Sequence, residues 1–329
     1  SQTAEELFKG DVPGELLDYL REHREGLSQT MASILADSGY PESGTWEQVF
    51  GRFAAEAFTG WHIARYVDVV TAAGKEAYPL PMYVNAWLVE PGGERPGKWP
   101  SGGPTEHVMD IWKCAAPHVD LLAPDIYFPK YVYYAKQYTR PDNPLFVPEI
   151  NKNPFFAAYP MITLVRFNGL NATVFGIDDA KTNPVGQLFR IAYGVLQPLL
   201  PLIEERRYTD KMYPFIQGIS EGEDWAHAIP ISDDVAAIVE YTAEFDPREG
   251  RGWGFIMELA PGDYVVAGVS FRVTFRALEG PPREIQMLSI DRGTFVDGQW
   301  RAGKRRNGDE RSVNLSSSGD IMRVKVLMP

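Results

Sequence analysis

At 329 residues, 44% of them hydrophobic, the chain is long enough to bury a large core and to form about two domains. A formal net charge of −12 excludes a nucleic-acid partner, because phosphate neutralisation needs a basic surface, and the cluster at 304–306 is too small to reverse the balance. The single cysteine, Cys114, excludes an intrachain disulfide, and no apolar run approaches the ~20 residues that span a bilayer, so no membrane partner is expected.

The opening stretch is acidic and helical. Ser1 or Thr3 can cap a short turn, and Leu16, Leu17, Tyr19 and Leu20 form one apolar stripe from a start near Gly14. Residues 54–73 place Phe58, Trp61, Ile63, Tyr66, Val69 and Val70 close to helical spacing, with Gly74 as the expected stop. Nothing before Leu80 reads as a strand. Residues 80–88, LPMYVNAWL, form the first strand candidate and deliver Asn85 and Trp87 near its end. The loop at 90–104, rich in glycine and proline, has the composition of an active-site rim, with Trp99 as a candidate for exposed stacking. A helix is expected over 105–116, with Thr105 as N-cap and Glu106 in its first turn.

The second strand candidate, residues 119–128, delivers Asp125 and Tyr127, and the third, residues 143–150, NPLFVPEI, ends on Glu149. A fourth is expected over 172–177, before Asp178 and Asp179. Near-continuous apolar strands alternating with helices predict a parallel sheet covered by helices. Residues 186–200 then read as a closing helix broken by Pro198 and Pro201.

Beyond the charged linker at 204–207 the pattern changes to strands at 235–241, 253–259, 264–277, 285–290 and 321–327. The segment 270–276, SFRVTFR, alternates Phe271, Val273 and Phe275 with Arg272, Thr274 and Arg276, as a half-solvated antiparallel strand does. Turns are expected at 261–263 and 291–293. The chain therefore divides into an α/β domain over 1–207 and an all-β, sandwich-like accessory domain over 208–329. In that second domain Trp225, Trp253 and Trp300 are candidates for sugar stacking, or else core and interface anchors.

Glu149 carries the strongest chemical signal, because parallel-strand enzymes place their chemistry at the strands' C-terminal ends. The competing reading is a solvated loop glutamate after a proline. Glycoside hydrolysis needs a second carboxyl group, ~5 Å away in retaining enzymes. Glu90, Asp125, Asp178 and Asp179 are the nearest candidates, and each has a structural alternative. The histidines at 23, 62, 107, 118 and 227 lack ligand spacing, and neither a phosphate loop nor a G-x-S-x-G elbow is present, so no metal or organic cofactor is expected. Cys114 reads as a small buried hydrophobe in preference to a nucleophile, and His62 as a packing residue.

The run PLPMYVNAWL, PSGGP, DLLAPDIYF and NPLFVPEI resembles the second half of the catalytic barrel in family 35 glycoside hydrolases, specifically the bacterial β-galactosidase-like branch with an extra C-terminal β-domain. The resemblance implies a (β/α)8 TIM barrel, of which this chain carries strands five to eight. It implies that Glu149 is the nucleophile of a retaining hydrolase acting on terminal β-linked galactose in an oligosaccharide or polysaccharide. Asn85, Trp87, Trp99, Asp125 and Tyr127 are the expected substrate-binding residues. The family's acid/base lies in an Asn-Glu pair, and no such pair occurs here, while Glu5 and Glu6 sit in a helical context. With Ser1 as first residue, the expected partner is an N-terminal half of the same enzyme, separated by truncation, nicking or division into two chains. A periplasmic or secreted location and a homo-oligomer fit the same resemblance. The alternative is a non-catalytic carbohydrate-binding protein derived from a glycosidase.

Overall fold

The computed structural model describes residues 1–90, 95–179, 183–218, 228–242, 250–278 and 285–327. The chain forms two compact units, one of Ser1–Ile126 with Val132–Pro148, the other of Tyr127–Tyr131 with Glu149–Pro329.

The first unit begins with four short helices: α1 (Gln2–Phe8), α2 (Gly14–Glu22), α3 (Gln29–Ser38) and α4 (Trp46–Phe50). Their caps are local and sequence-encoded. The Ser1 hydroxyl accepts from the Ala4 amide, Ser28 caps α3, and Thr45 with Gln48 closes a capping box on α4. Leu16, Leu17 and Leu20 of α2 are buried, as their spacing predicts.

The long helix α5 (Ala54–Ala77) runs through Gly74, the expected stop. It ends instead at Ala77, since Pro79 disfavours helical geometry at the preceding Tyr78, which is extended at φ −154°. A Cβ on Gly74 would lie 3.3 Å from Cε of Met82, the mobile end of a flexible side chain.

Then come β1 (Tyr83–Ala86), α6 (Met109–Ala115), β2 (Leu121–Ile126), α7 (Tyr131–Tyr138) and β3 (Phe146–Ile150). The helix expected from Thr105 starts four residues later, because Thr105 is held elsewhere: its hydroxyl donates to Glu56 at 3.1 Å and does not cap α6. β1 and β2 pair in parallel, with Asn85 opposite Ala123. The buried Asn143 ties the approach to β3 onto β2, its Oδ1 accepting from the Leu122 amide and its Nδ2 donating to the carbonyls of Leu122 and Tyr138.

In the second unit, β3 is followed by a mixed 3-10, α and π segment that contains α8 (Tyr159–Met161), and then by β4 (Asn171–Val174). The four strands are ordered β1-β2-β3-β4. α9 (Pro184–Leu196) is capped by Asn183, with Pro184 at its first position. Pro198 does not end the helical path: it opens a 3-10 turn at 197–199 and Pro201 opens α10 (Leu200–Glu205), each standing in a first turn, where the amide that proline lacks has no intrahelical partner.

Among the described residues ten antiparallel strands follow: β5 (Met212–Ile216), β6 (Ala228–Pro230), β7 (Val235–Tyr241), β8 (Trp253–Ala260), β9 (Asp263–Val269), β10 (Phe271–Ala277), β11 (Met287–Val296), β12 (Gln299–Arg305), β13 (Val313–Leu315) and β14 (Asp320–Val326). They form two sheets, ordered β13-β10-β7-β6 and β12-β11-β14-β9-β8-β5. Both sheets contribute to one core that includes Phe215, Val239, Tyr264, Phe271, Phe275 and Met322, which makes this a β-sandwich.

Two details depart from the sequence reading. The strand expected over 264–277 is two strands, divided at Ser270, whose φ of 58° breaks the extended path and sends β10 to the other sheet. The turn expected at 291–293 is instead a β-bulge inside β11, and the hairpin turns at Asp297 and Gly298, both with positive φ.

Candidate functional site

Glu149 stands near the end of β3, half-buried, and the phenol of Tyr127 donates to its Oε2 at 2.6 Å. Tyr127 is held in turn by the Asn151 amide, which donates to its carbonyl at 3.3 Å, and by edge contact with the ring of Phe175 at 6.3 Å. The structure thus joins Glu149 and Tyr127, two residues singled out from sequence, in a short charge-assisted hydrogen bond that fixes the carboxylate's orientation.

In the first unit, Asn85 and Asp125 meet at the ends of adjacent parallel strands, with Asn85 Nδ2 donating to Asp125 Oδ1 at 2.9 Å. Trp87, half-buried, donates its indole N–H to Glu90 at 3.1 Å, which engages one of the carboxylates considered as a second catalytic group.

Trp99 corrects an expectation. It is only 4% exposed and donates its indole N–H to Glu56 at 3.0 Å, so it presents no open face for stacking on a sugar. Residues 91–94 of the expected rim lie outside the described residues, as does Trp225. Trp253 is buried, and Trp300 is half-buried against Phe295 at 5.1 Å. Asp178 is exposed, and the cap of α9 is Asn183.

The sequence reading missed the group around Glu56. This fully buried carboxylate accepts from Trp99 Nε1 and Thr105 Oγ1 at its Oε1, and its Oε2 lies 3.1 Å from His107 Nδ1. The other nitrogen of His107 is 3.5 Å from Glu106, whose carboxyl burial holds above the usual range. A signal was available: Glu56 falls three residues after Phe53 and four before Gly60, inside the buried stripe of α5. Cys114, expected to be buried, is only half-buried, and desolvation still raises its thiol pKa to about 11 and leaves it a poor nucleophile. His62 packs its ring on Phe58 at 4.5 Å. Among the described residues no group of three or more His, Cys, Asp or Glu could hold a metal ion.

Residues 189–317 match a domain of unknown function, DUF5597, which takes in most of α9, α10 and the strands β5 to β13. No curated protein matches the chain.

Proposed function

We propose that this chain supplies the nucleophile-bearing part of a retaining glycoside hydrolase that acts on terminal β-linked galactose. The observation that carries the reading is the pairing of Glu149 with Tyr127 at the end of a strand in an α/β sheet. In this reading Oε1 of Glu149 attacks the anomeric carbon and forms a glycosyl ester, while Tyr127 holds Oε2 and so fixes which lone pair faces the sugar. A carboxylic acid from the missing part of the barrel protonates the departing oxygen, and water then hydrolyses the ester with that residue acting as base. Asn85 and Asp125 are assigned to sugar hydroxyls, and Trp87 to the sugar's apolar C–H face.

Three features of the first unit support a barrel segment that needs completion. The rings of Tyr83 on β1 and Phe146 on β3 touch at 4.9 Å although β2 lies between those strands, the layering of alternate strands found inside barrels. β1 is a sheet edge, and Tyr83 and Asn85 on one of its faces are exposed, whereas parallel sheets are normally covered on both faces. α5 also leaves Ile63, Tyr66, Val69 and Val70 open to solvent. The partner proposed for these surfaces is the N-terminal half-barrel of the same enzyme.

A galactoside with fluorine at C2 and an activated leaving group tests the assignment, because it forms the ester without needing the acid. The expected result, for the chain combined with its half-barrel, is one added fluorogalactosyl mass on the peptide containing Glu149, and none after Glu149→Gln. A label on any other residue sinks the nucleophile assignment. Sugar binding without labelling identifies a non-catalytic carbohydrate-binding protein.

A further inference from the structure

Beside α9, the bulged middle of β11 and the start of β14 lies a cavity of about 350 Å³, a size suited to a small ligand. Its polar groups do not cancel. Asp320, buried at the start of β14, accepts at Oδ2 from the backbone N–H and the hydroxyl of Ser316, both at 2.7 Å, and its Oδ1 lies 2.5 Å from Arg292 Nε. Oδ2 is satisfied by Ser316, whereas the buried Oδ1 has the ion pair with Arg292 and no hydrogen bond among the described residues. Arg190 hydrogen-bonds Gln187 at 3.2 Å and has no carboxylate partner among the described residues. The lining thus carries two guanidinium groups, Arg190 and Arg292, against the one carboxylate of Asp320, a local positive excess on a chain of net charge −12.

Glycines shape the cavity. Gly319 has φ +83°, and a Cβ on it would lie 2.7 Å from Val195 Cγ2 and 2.9 Å from Ile191 Cγ2, so it allows the close approach of α9. Gly194 is different. It sits inside α9, where glycine is unfavourable relative to alanine, and nothing lies within 4 Å of the Cβ it lacks. No packing constraint requires glycine there, and the space that a side chain would fill belongs to the cavity.

We infer that this cavity binds the carboxylate-bearing end of an acidic saccharide, a hexuronate unit. Arg190 and the terminal nitrogens of Arg292 take the carboxylate, and the amide of Gln187 and the hydroxyl of Ser318 take ring hydroxyls. Guanidinium groups match a carboxylate in paired geometry, and the volume exceeds what an inorganic oxyanion fills. Binding here is separate from Glu149 and from hydrolysis.

Calorimetric titration of the chain at low salt with galacturonate, galactose and inorganic phosphate tests this. Galacturonate is expected to bind, with galactose and phosphate each weaker by about tenfold or more. Arg190→Gln, an exposed change, is expected to weaken galacturonate by about tenfold. Gly194→Leu is expected to abolish binding while the thermal unfolding midpoint is unchanged or higher, because leucine favours the helix. Glu149→Gln is expected to leave binding intact. The proposal is overturned if galacturonate does not bind, if Arg190→Gln and Gly194→Leu bind as the parent does, or if galactose or phosphate binds as tightly as galacturonate.

Discussion

Glu56 shows how a single residue can govern a loop. Trp99, Thr105 and His107 arrive from the long connection between β1 and α6, and all three converge on one buried carboxylate. Replacing it leaves their polar atoms buried without an acceptor, and each such atom costs about 1–3 kcal/mol. Glu56→Ala is therefore expected to destabilise the first unit by about 3 kcal/mol, read as a lower urea midpoint, with Glu56→Gln losing less because its amide keeps one acceptor oxygen. Much of the Glu149 site was legible residue by residue. A carboxylate placed at the end of an apolar strand marks that position in any chain that folds this way, and Tyr127 was marked for the same reason. The burial of Trp99 was not legible, because its acceptor, Glu56, lies 43 positions away.

At the scale of elements, the β-sandwich depends on a close approach between β8 and β9. Gly254 and Gly268 face each other across that pair, and the ring of Phe271 covers both. A methyl group on Gly254 would lie 2.6 Å from the Ala267 carbonyl oxygen and would collide with Phe271, so side chain and strand cannot both keep their places. Gly254→Ala is expected to cost about 1–3 kcal/mol, measured as a drop in unfolding midpoint with no change in the slope of the denaturant transition. β10, with its clear alternation, and β7, an apolar run, were readable from the sequence. β12 was not, because it is almost wholly solvated and carries little apolar pattern. The Asp297–Gly298 turn was a readable signal for the hairpin that pairs β12 with β11.

For the whole molecule, α5 is the most informative element. Its small-residue side, with Ala57, Gly60 and Ala64, is buried, and Gly60 packs close to Val108 and Trp112. Its opposite side leaves Tyr66 71% and Val69 69% exposed. A helix apolar on both sides is expected to be covered on both. In the chain by itself, Tyr66→Glu combined with Val69→Lys is expected to leave the unfolding midpoint within about 0.5 kcal/mol of the parent and to reduce self-association in sedimentation. The same pair is expected to abolish assembly with the proposed half-barrel. A pair that retains assembly would place that contact elsewhere.

By itself the sequence determined the order of apolar strands and helices, the change to antiparallel alternation after the closing helix, and Glu149 as the carboxylate of interest. These are short-range properties, written in the spacing of apolar side chains and in residues at strand ends. Only the tertiary structure decided that Tyr127 grips Glu149, that Asn85 meets Asp125, that Trp99 is buried on Glu56, and that Arg190 and Arg292 share a cavity with a glycine-lined wall. Those pairings join residues far apart in the chain, and their partners become defined only when separate elements pack together.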